Sequence, residues 1–206
     1  MNKLMPQSRL LVVLGAALIG VFAVSIVLGG AVNDGYAQNR DFVSALSSRG
    51  ATHAWIGIIG LLAFSAANAL TSWLLWTRSR AVSWLLGVAA ASGMLAALAR
   101  IDCPGGAARC SLDEQTTGDW LNSLHGNAVF AYALAVIFAL GSAAWQVKRT
   151  AWRLTFIALA ATSVVALVMT SSATPGSAQR IWLAANAAAL LALAVSPLGG
   201  GLTRRP

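Results

Sequence analysis

The chain has 206 residues, of which 58 % are hydrophobic and only 10 % charged, with a mean hydropathy of +0.72; a soluble domain carries about 25 % charge. Too few polar groups exist to coat a globule, so a water-soluble enzyme is excluded and lipid must be part of the solvent. The net charge of +8 does not point to nucleic acid, because the basic residues sit in short clusters between apolar spans rather than on one phosphate-binding face.

A hydrocarbon core of about 30 Å needs roughly 20 apolar residues in a helix. Gaps between charged residues offer six such spans: Leu10–Val32, Ala54–Trp76, Ala81–Ala99, Trp120–Val147, Leu154–Ser172 and Ile181–Gly199. The fold class expected is all-α, a polytopic six-transmembrane-helix bundle forming one domain over residues 1–206, with outer loops at 33–53, 100–119 and 173–180. Lys3 and Arg9 ahead of the first span resemble a secretory signal, but the apolar run of about 23 residues exceeds the 7–15 of a signal peptide. It is read as an anchor.

Orientation follows from Lys and Arg in the connections. Nine of them (Lys3, Arg9, Arg78, Arg80, Lys148, Arg149, Arg153, Arg204, Arg205) fall on one side, and five (Arg40, Arg49, Arg100, Arg109, Arg180) on the other, which also holds all six acids. Both termini are therefore expected in the cytoplasm. Trp55, Trp120 and Trp182 would mark the outer ends, and Trp73, Trp76, Trp84, Trp145 and Trp152 the inner ends, at headgroup level. No Lys, Arg, Asp or Glu lies within a span, which argues against an ion-coupled transporter. Small residues abound instead, among them Gly57, Gly60, Gly87, Gly93, Gly126, Ala131 and Ala135. They suit close packing of helix backbones in lipid and would also allow contacts in a homo-oligomer.

Chemistry is expected on the outer face. In the first outer loop Asp34-Gly35 is a turn signal. The run from Asp41 to Leu46 predicts a short helix lying at the interface, with Asp41 near its N-terminus and Phe42, Val43 and Leu46 facing lipid. His53 begins the second span. The second outer loop holds four of the six acids and both cysteines. Cys103 and Cys110 enclose Pro104-Gly105-Gly106 on the exported side, where a disulfide is favoured. A structural bridge that fixes the loop is preferred to a redox pair. Arg100 ends the third span two residues before Asp102, either as an ion pair or as a cationic clamp for a lipid phosphate or carboxylate.

His53 and His125 should lie at similar depth on neighbouring helices. Three readings stay open for them. They could be interfacial histidines hydrogen-bonded to neighbours, or they could join Asp102 in a metal site, with zinc activating water for hydrolysis of a lipid ester or amide. They could also ligate a single haem between them.

DFVSALSSRGATHAW (41–55), a span, and then an acidic loop leading to NSLHG (122–126) together resemble a bacterial membrane family catalogued as domain of unknown function 998. The matching positions are Asp41, Ser44, Leu46, Asp102, Pro104 and His125. That resemblance implies a six-helix inner-membrane protein and leaves the reaction open. A weaker resemblance, through Ser123-Leu124-His125 and His53, is to b561-type transmembrane cytochromes, which carry two histidine pairs where this chain has one. The leading expectation is an envelope protein of the inner membrane that binds or handles a lipid of the outer leaflet. Asp41, Ser44, Arg100, Asp102 and His125 would converge on a cavity between the second, third and fourth helices. Binding protein and enzyme are both compatible with these residues.

Overall fold

The computed structural model describes residues 6–102, 120–171 and 173–198. It is an all-α bundle of six helices: α1 (Pro6–Val32), α2 (Ala54–Leu75), α3 (Arg80–Leu98), α4 (Trp120–Gln146), α5 (Thr150–Val168) and α6 (Pro175–Val195). All six are long and apolar enough to cross a membrane. The protein is a multi-pass membrane protein. Each helix packs against the next, and α6 returns to α1 and α2, closing the ring. An even number of helices puts the start of α1 and the end of α6 at one face. The opposite face, which carries the long 33–53 connection and the end of α3, is called the loop face below.

The ring is uneven. Only 17 % of the apolar windows of α1 and α5 is buried, against 56 % for α6, so α1 and α5 are peripheral and lipid solvates most of their surface. Glycines set the close approaches. A Cβ on Gly60 would stand 2.7 Å from Ser25 Cβ on α1, and one on Gly93 2.6 Å from Ser65 Oγ on α2. Gly126 has no such role, since a Cβ there meets nothing within 4 Å. At the opposite face Ser72 and Ser83 exchange hydroxyl-to-carbonyl bonds of 2.8 and 2.7 Å between α2 and α3. There too Arg80 stacks over Trp76 at 4.3 Å.

Three expectations need correction. The last helix starts at Pro175, six residues before Ile181, and ends at Val195. Proline suits a first helical turn, where its missing N–H is no loss, so Arg180 belongs to a helix rather than to a connection. Trp182 is 3 % exposed and is a core residue, not a headgroup anchor. Its ring meets the Tyr132 edge at 5.7 Å and 83°.

The third correction concerns the first long connection. Asp34-Gly35 does turn the chain, with Gly35 at φ 74. The following short helix is 3-10, spans Val43–Ser47, and is buried throughout. Phe42, Val43 and Leu46 are 4 %, 2 % and 0 % exposed; they face protein and not lipid. Two glycines explain the difference. A Cβ on Gly57 of α2 would lie 2.6 Å from the Leu46 carbonyl, and one on Gly176 of α6 2.5 Å from the Asp41 carbonyl oxygen. Lacking side chains there, α2 and α6 admit the loop backbone between them.

Candidate functional site

The buried 42–48 segment forms a plug in the loop face, and its polar backbone must be satisfied inside protein. One arginine serves the segment itself and a second the chain that leads into it. Arg100, just past the end of α3, donates from Nε to the Ser47 carbonyl at 3.0 Å and from Nη2 to the Ser48 carbonyl at 2.8 Å. Arg180 donates from Nη1 to the carbonyls of Gln38 (2.5 Å), Asp41 (3.1 Å) and Gly176 (2.9 Å), and from Nη2 to the Tyr36 hydroxyl. Gln179 Oε1 accepts the Val43 N–H at 2.5 Å. Asp41, 1 % exposed, folds its carboxylate back onto the Ala37 N–H at 2.7 Å and Arg40 Nε at 2.9 Å. Burial pushes the Tyr36 phenol above its ordinary pKa, against the opposing pull of the Arg180 charge.

Asp102 does not pair with Arg100. Its carboxylate meets Arg49 Nη1 at 3.2 Å, and its backbone N–H donates to Asn122 Oδ1 at 2.9 Å. Arg100 is instead spent on the Ser47 and Ser48 carbonyls of the plug. His53 caps the start of α2, giving its backbone N–H to Asn33 Oδ1 at 3.1 Å. Cys103 and Cys110 lie outside the described residues.

Beneath the plug is a cavity of about 50 Å³ between α2, α3, α4 and α6, room for roughly three to five waters at about 10–15 Å³ each. Ser44 forms part of its roof, His125 part of its wall, and Phe64, Tyr132 and Trp182 also line it. These three rings belong to an aromatic row that begins at Phe22, stacked on Phe64 at 4.4 Å. Val43, Leu61, Val129 and Leu183 supply apolar wall. No lining residue is charged except through the ring of His125.

His125 is held in one tautomer. Its Nδ1 stands 2.8 Å from the Ala96 carbonyl and 3.0 Å from that of Ala99. Carbonyls only accept, so Nδ1 carries the hydrogen, and the ring caps the unpaired carbonyls at the end of α3. Nε2 is left as an acceptor with no hydrogen-bond partner among the described residues. The Tyr132 hydroxyl and the Trp182 Nε1–H are buried and also lack partners. The cavity thus has a few polar residues on an apolar background, with these bare donors buried beside it. Of the residues read from sequence, the structure brings Ser44 and His125 to it. Asp41 and Arg100 hold the plug, while Asp102 stands beside Arg49. Among the described residues no group of three His, Cys, Asp or Glu is placed to hold a metal.

The sequence profile of the family described as "Protein of unknown function (DUF998)" matches residues 9–196. The chain belongs to that family. No curated protein and no solved structure matches this DUF998 member, and nothing supports the likeness to b561-type cytochromes. Sequence reading missed Tyr132, Gln179, Trp182 and the buried asparagines Asn68 and Asn186. Except for Gln179, which the sequence places in a connection, their one signal was polarity inside apolar spans, where an amide or phenol must find a partner.

Proposed function

We propose that this DUF998 protein binds the polar end of a lipid in the cavity under the plug. The observation that carries this reading is a mostly apolar cavity lined by Tyr132, Trp182, His125 and Ser44, with the donors Tyr132 Oη and Trp182 Nε1 buried beside it and bare. A buried donor without an acceptor is costly, and a ligand oxygen seated there would satisfy it. Lipid fits better than a water-borne solute because the wall is aliphatic and aromatic and the bundle is solvated by acyl chains. Asp41 and Arg100 contribute by fixing the plug that roofs the cavity. The excess of Lys and Arg at the opposite face supports cytoplasmic termini and a cavity open to the outer leaflet of a bacterial inner membrane. The same asymmetry sets Cys103 and Cys110 on the oxidising side, where they would bridge.

The test is native mass spectrometry of the full chain released from its own membrane, beside Val129→Phe, which fills the cavity from α4. Wild type should retain one lipid that survives delipidating washes, and the variant should lose it. Equal retention by a stably folded variant would end the proposal. Reporter fusions at both termini check the orientation: cytoplasmic activity at both ends is expected.

A further inference from the structure

A second concavity lies at the face away from the plug, between the end of α2 and the start of α3. It is a groove of about 460 Å³, a volume within the range of small-molecule sites. Trp73 and Trp76 line it together with Ala69, Gly87 and Ala90. Trp73 is 75 % exposed, so the groove opens outward to lipid. Gly87 is not needed there for helix packing, because a Cβ would meet Ser72 Oγ at 3.5 Å, an ordinary contact. Its missing side chain leaves room in the groove instead. Ala69 stands seven residues before the Trp76 cap of α2, and Ala90 ten residues after the start of α3. At 1.5 Å per residue the groove reaches roughly 10–15 Å below the helix ends. That is the depth of one leaflet, half of a hydrocarbon core of about 30 Å.

The mouth of the groove is cationic. Arg80, the first residue of α3, is exposed and holds its guanidinium over the Trp76 ring at 4.3 Å. Trp84, one turn further on, meets Trp76 at 5.5 Å and 59°. Stacking positions the guanidinium without using its N–H groups. Among the described residues no acceptor or carboxylate meets them. Arg78 adds a second positive charge in the same connection, and the N-terminus of α3 a partial one. No Asp or Glu occurs before Asp34, between Asp41 and Asp102, or after Asp119, so the connections of this face contain no acid to compete. A phosphate matches the open fork of Arg80, and an acyl chain matches an apolar groove of leaflet depth. A neutral lipid would leave the cations unanswered, and a free phosphate would leave the groove unfilled. We infer that the α2–α3 groove binds an anionic phospholipid of the adjacent leaflet, its phosphate on Arg80 and one acyl chain along Trp73, Gly87 and Ala90. This site is separate from the plug cavity and stands whether or not a lipid occupies that cavity.

The full chain in mild detergent is titrated with phosphatidylglycerol and with phosphatidylcholine of the same acyl chains, and bound lipid is counted by native mass spectrometry. One arginine near a lipid surface is worth about fivefold in affinity for an anionic lipid, so phosphatidylglycerol should bind at least about fivefold tighter. Arg80→Gln should weaken phosphatidylglycerol by about that factor and leave phosphatidylcholine little changed. Ala69→Phe fills the groove from an exposed position and should weaken phosphatidylglycerol as well. Phosphatidylglycerol with a diazirine in its acyl chain should label wild type within 69–77 and 87–90, and excess glycerol phosphate should not displace it. Equal affinity of wild type for the two lipids, or labelling elsewhere, would overturn the inference. Displacement by glycerol phosphate would overturn it too, because the acyl chain would then contribute nothing. So would dimers that form in place of lipid binding and vanish in Ala69→Phe, since the groove would then seat a second copy. The wild-type readings decide the matter even if a variant misfolds.

Discussion

Replacing Gly176 with alanine tests whether the 42–48 segment is a plug. The added Cβ would lie 2.5 Å from the Asp41 carbonyl oxygen, 2.6 Å from that of Gln38 and 2.9 Å from the Asp41 nitrogen. All three are backbone atoms, so no rotamer change relieves the clash, and ordinary contact begins at 3.4 Å. The loop must recede by about 0.9 Å at its nearest point. The same carbonyls accept from Arg180 at 2.5 and 3.1 Å, and a retreat of that size breaks the longer bond. Overpacking costs about 1–3 kcal/mol, and a lost bond to a charged donor adds about 1.5–3 kcal/mol. The better helix propensity of alanine offsets up to about 1 kcal/mol. A net loss of about 1.5–6 kcal/mol at roughly 2–4 °C per kcal/mol lowers the melting temperature by about 3–24 °C. Gly141→Ala in α4 is the control, because a Cβ there meets nothing within 4 Å and should leave the melting temperature unchanged or raise it slightly. Size-exclusion chromatography of heated, detergent-purified protein reads both. Equal stability of Gly176→Ala and wild type, or an equal fall in Gly141→Ala, would refute the reasoning.

Other outcomes follow from the anchors of the plug. Arg100→Met strips the donors from the Ser47 and Ser48 carbonyls and should cost about 2–4 kcal/mol. Asp102→Asn, whose ion pair with Arg49 is 37 % and 43 % exposed on its two sides, should change stability by less than about 1 kcal/mol; the same melting assay separates the two. Tyr36 has a raised folded pKa, chiefly from burial. Its contribution is therefore whole below about pH 10, the unfolded value, and is lost as pH climbs towards the folded one. Melting temperature should drop more steeply above pH 10 in wild type than in Tyr36→Phe, and parallel curves would contradict this. Thiol titration of denatured, unreduced protein should find no free sulfhydryl if Cys103 and Cys110 are bridged.

The helices were legible because charge gaps mark them directly: Ala54, Trp120 and Val32 are ends by either route. The plug was not. Phe42, Val43 and Leu46 have the spacing of an interfacial amphipathic turn, and spacing cannot tell lipid from a protein wall. What distinguishes them is complementarity with Gly57 and Gly176, which stand at other places in the sequence and look like ordinary small residues of a membrane helix. Trp182 was misread for a related reason. In the sequence it stands at the start of an apolar run, where an aromatic belt is expected, but α6 begins seven residues earlier and its packing turns Trp182 inward onto Tyr132. Ser44 and His125 were found as polar residues near the loop face. The atoms they share the cavity with come from uncharged residues in the middle of spans, where a search for charge passes over them.

The plug also imposes an order on the birth of the protein. Gln38 and Asp41 receive their hydrogen bonds from Arg180 across 142 and 139 positions of chain, and Val43 gives its own to Gln179 across 136. At 5–20 residues per second, the ribosome delivers those partners roughly 7–28 s after the segment they hold. For that interval α1 and α2 stand in the membrane with one wall of the seat missing, and Phe42 and Leu46 have no finished place to go. The first long connection is thus among the last parts of the molecule to settle. α6 completes it as a keystone completes an arch, so a chain that stalls before residue 175 would expose this segment to the membrane's proteases.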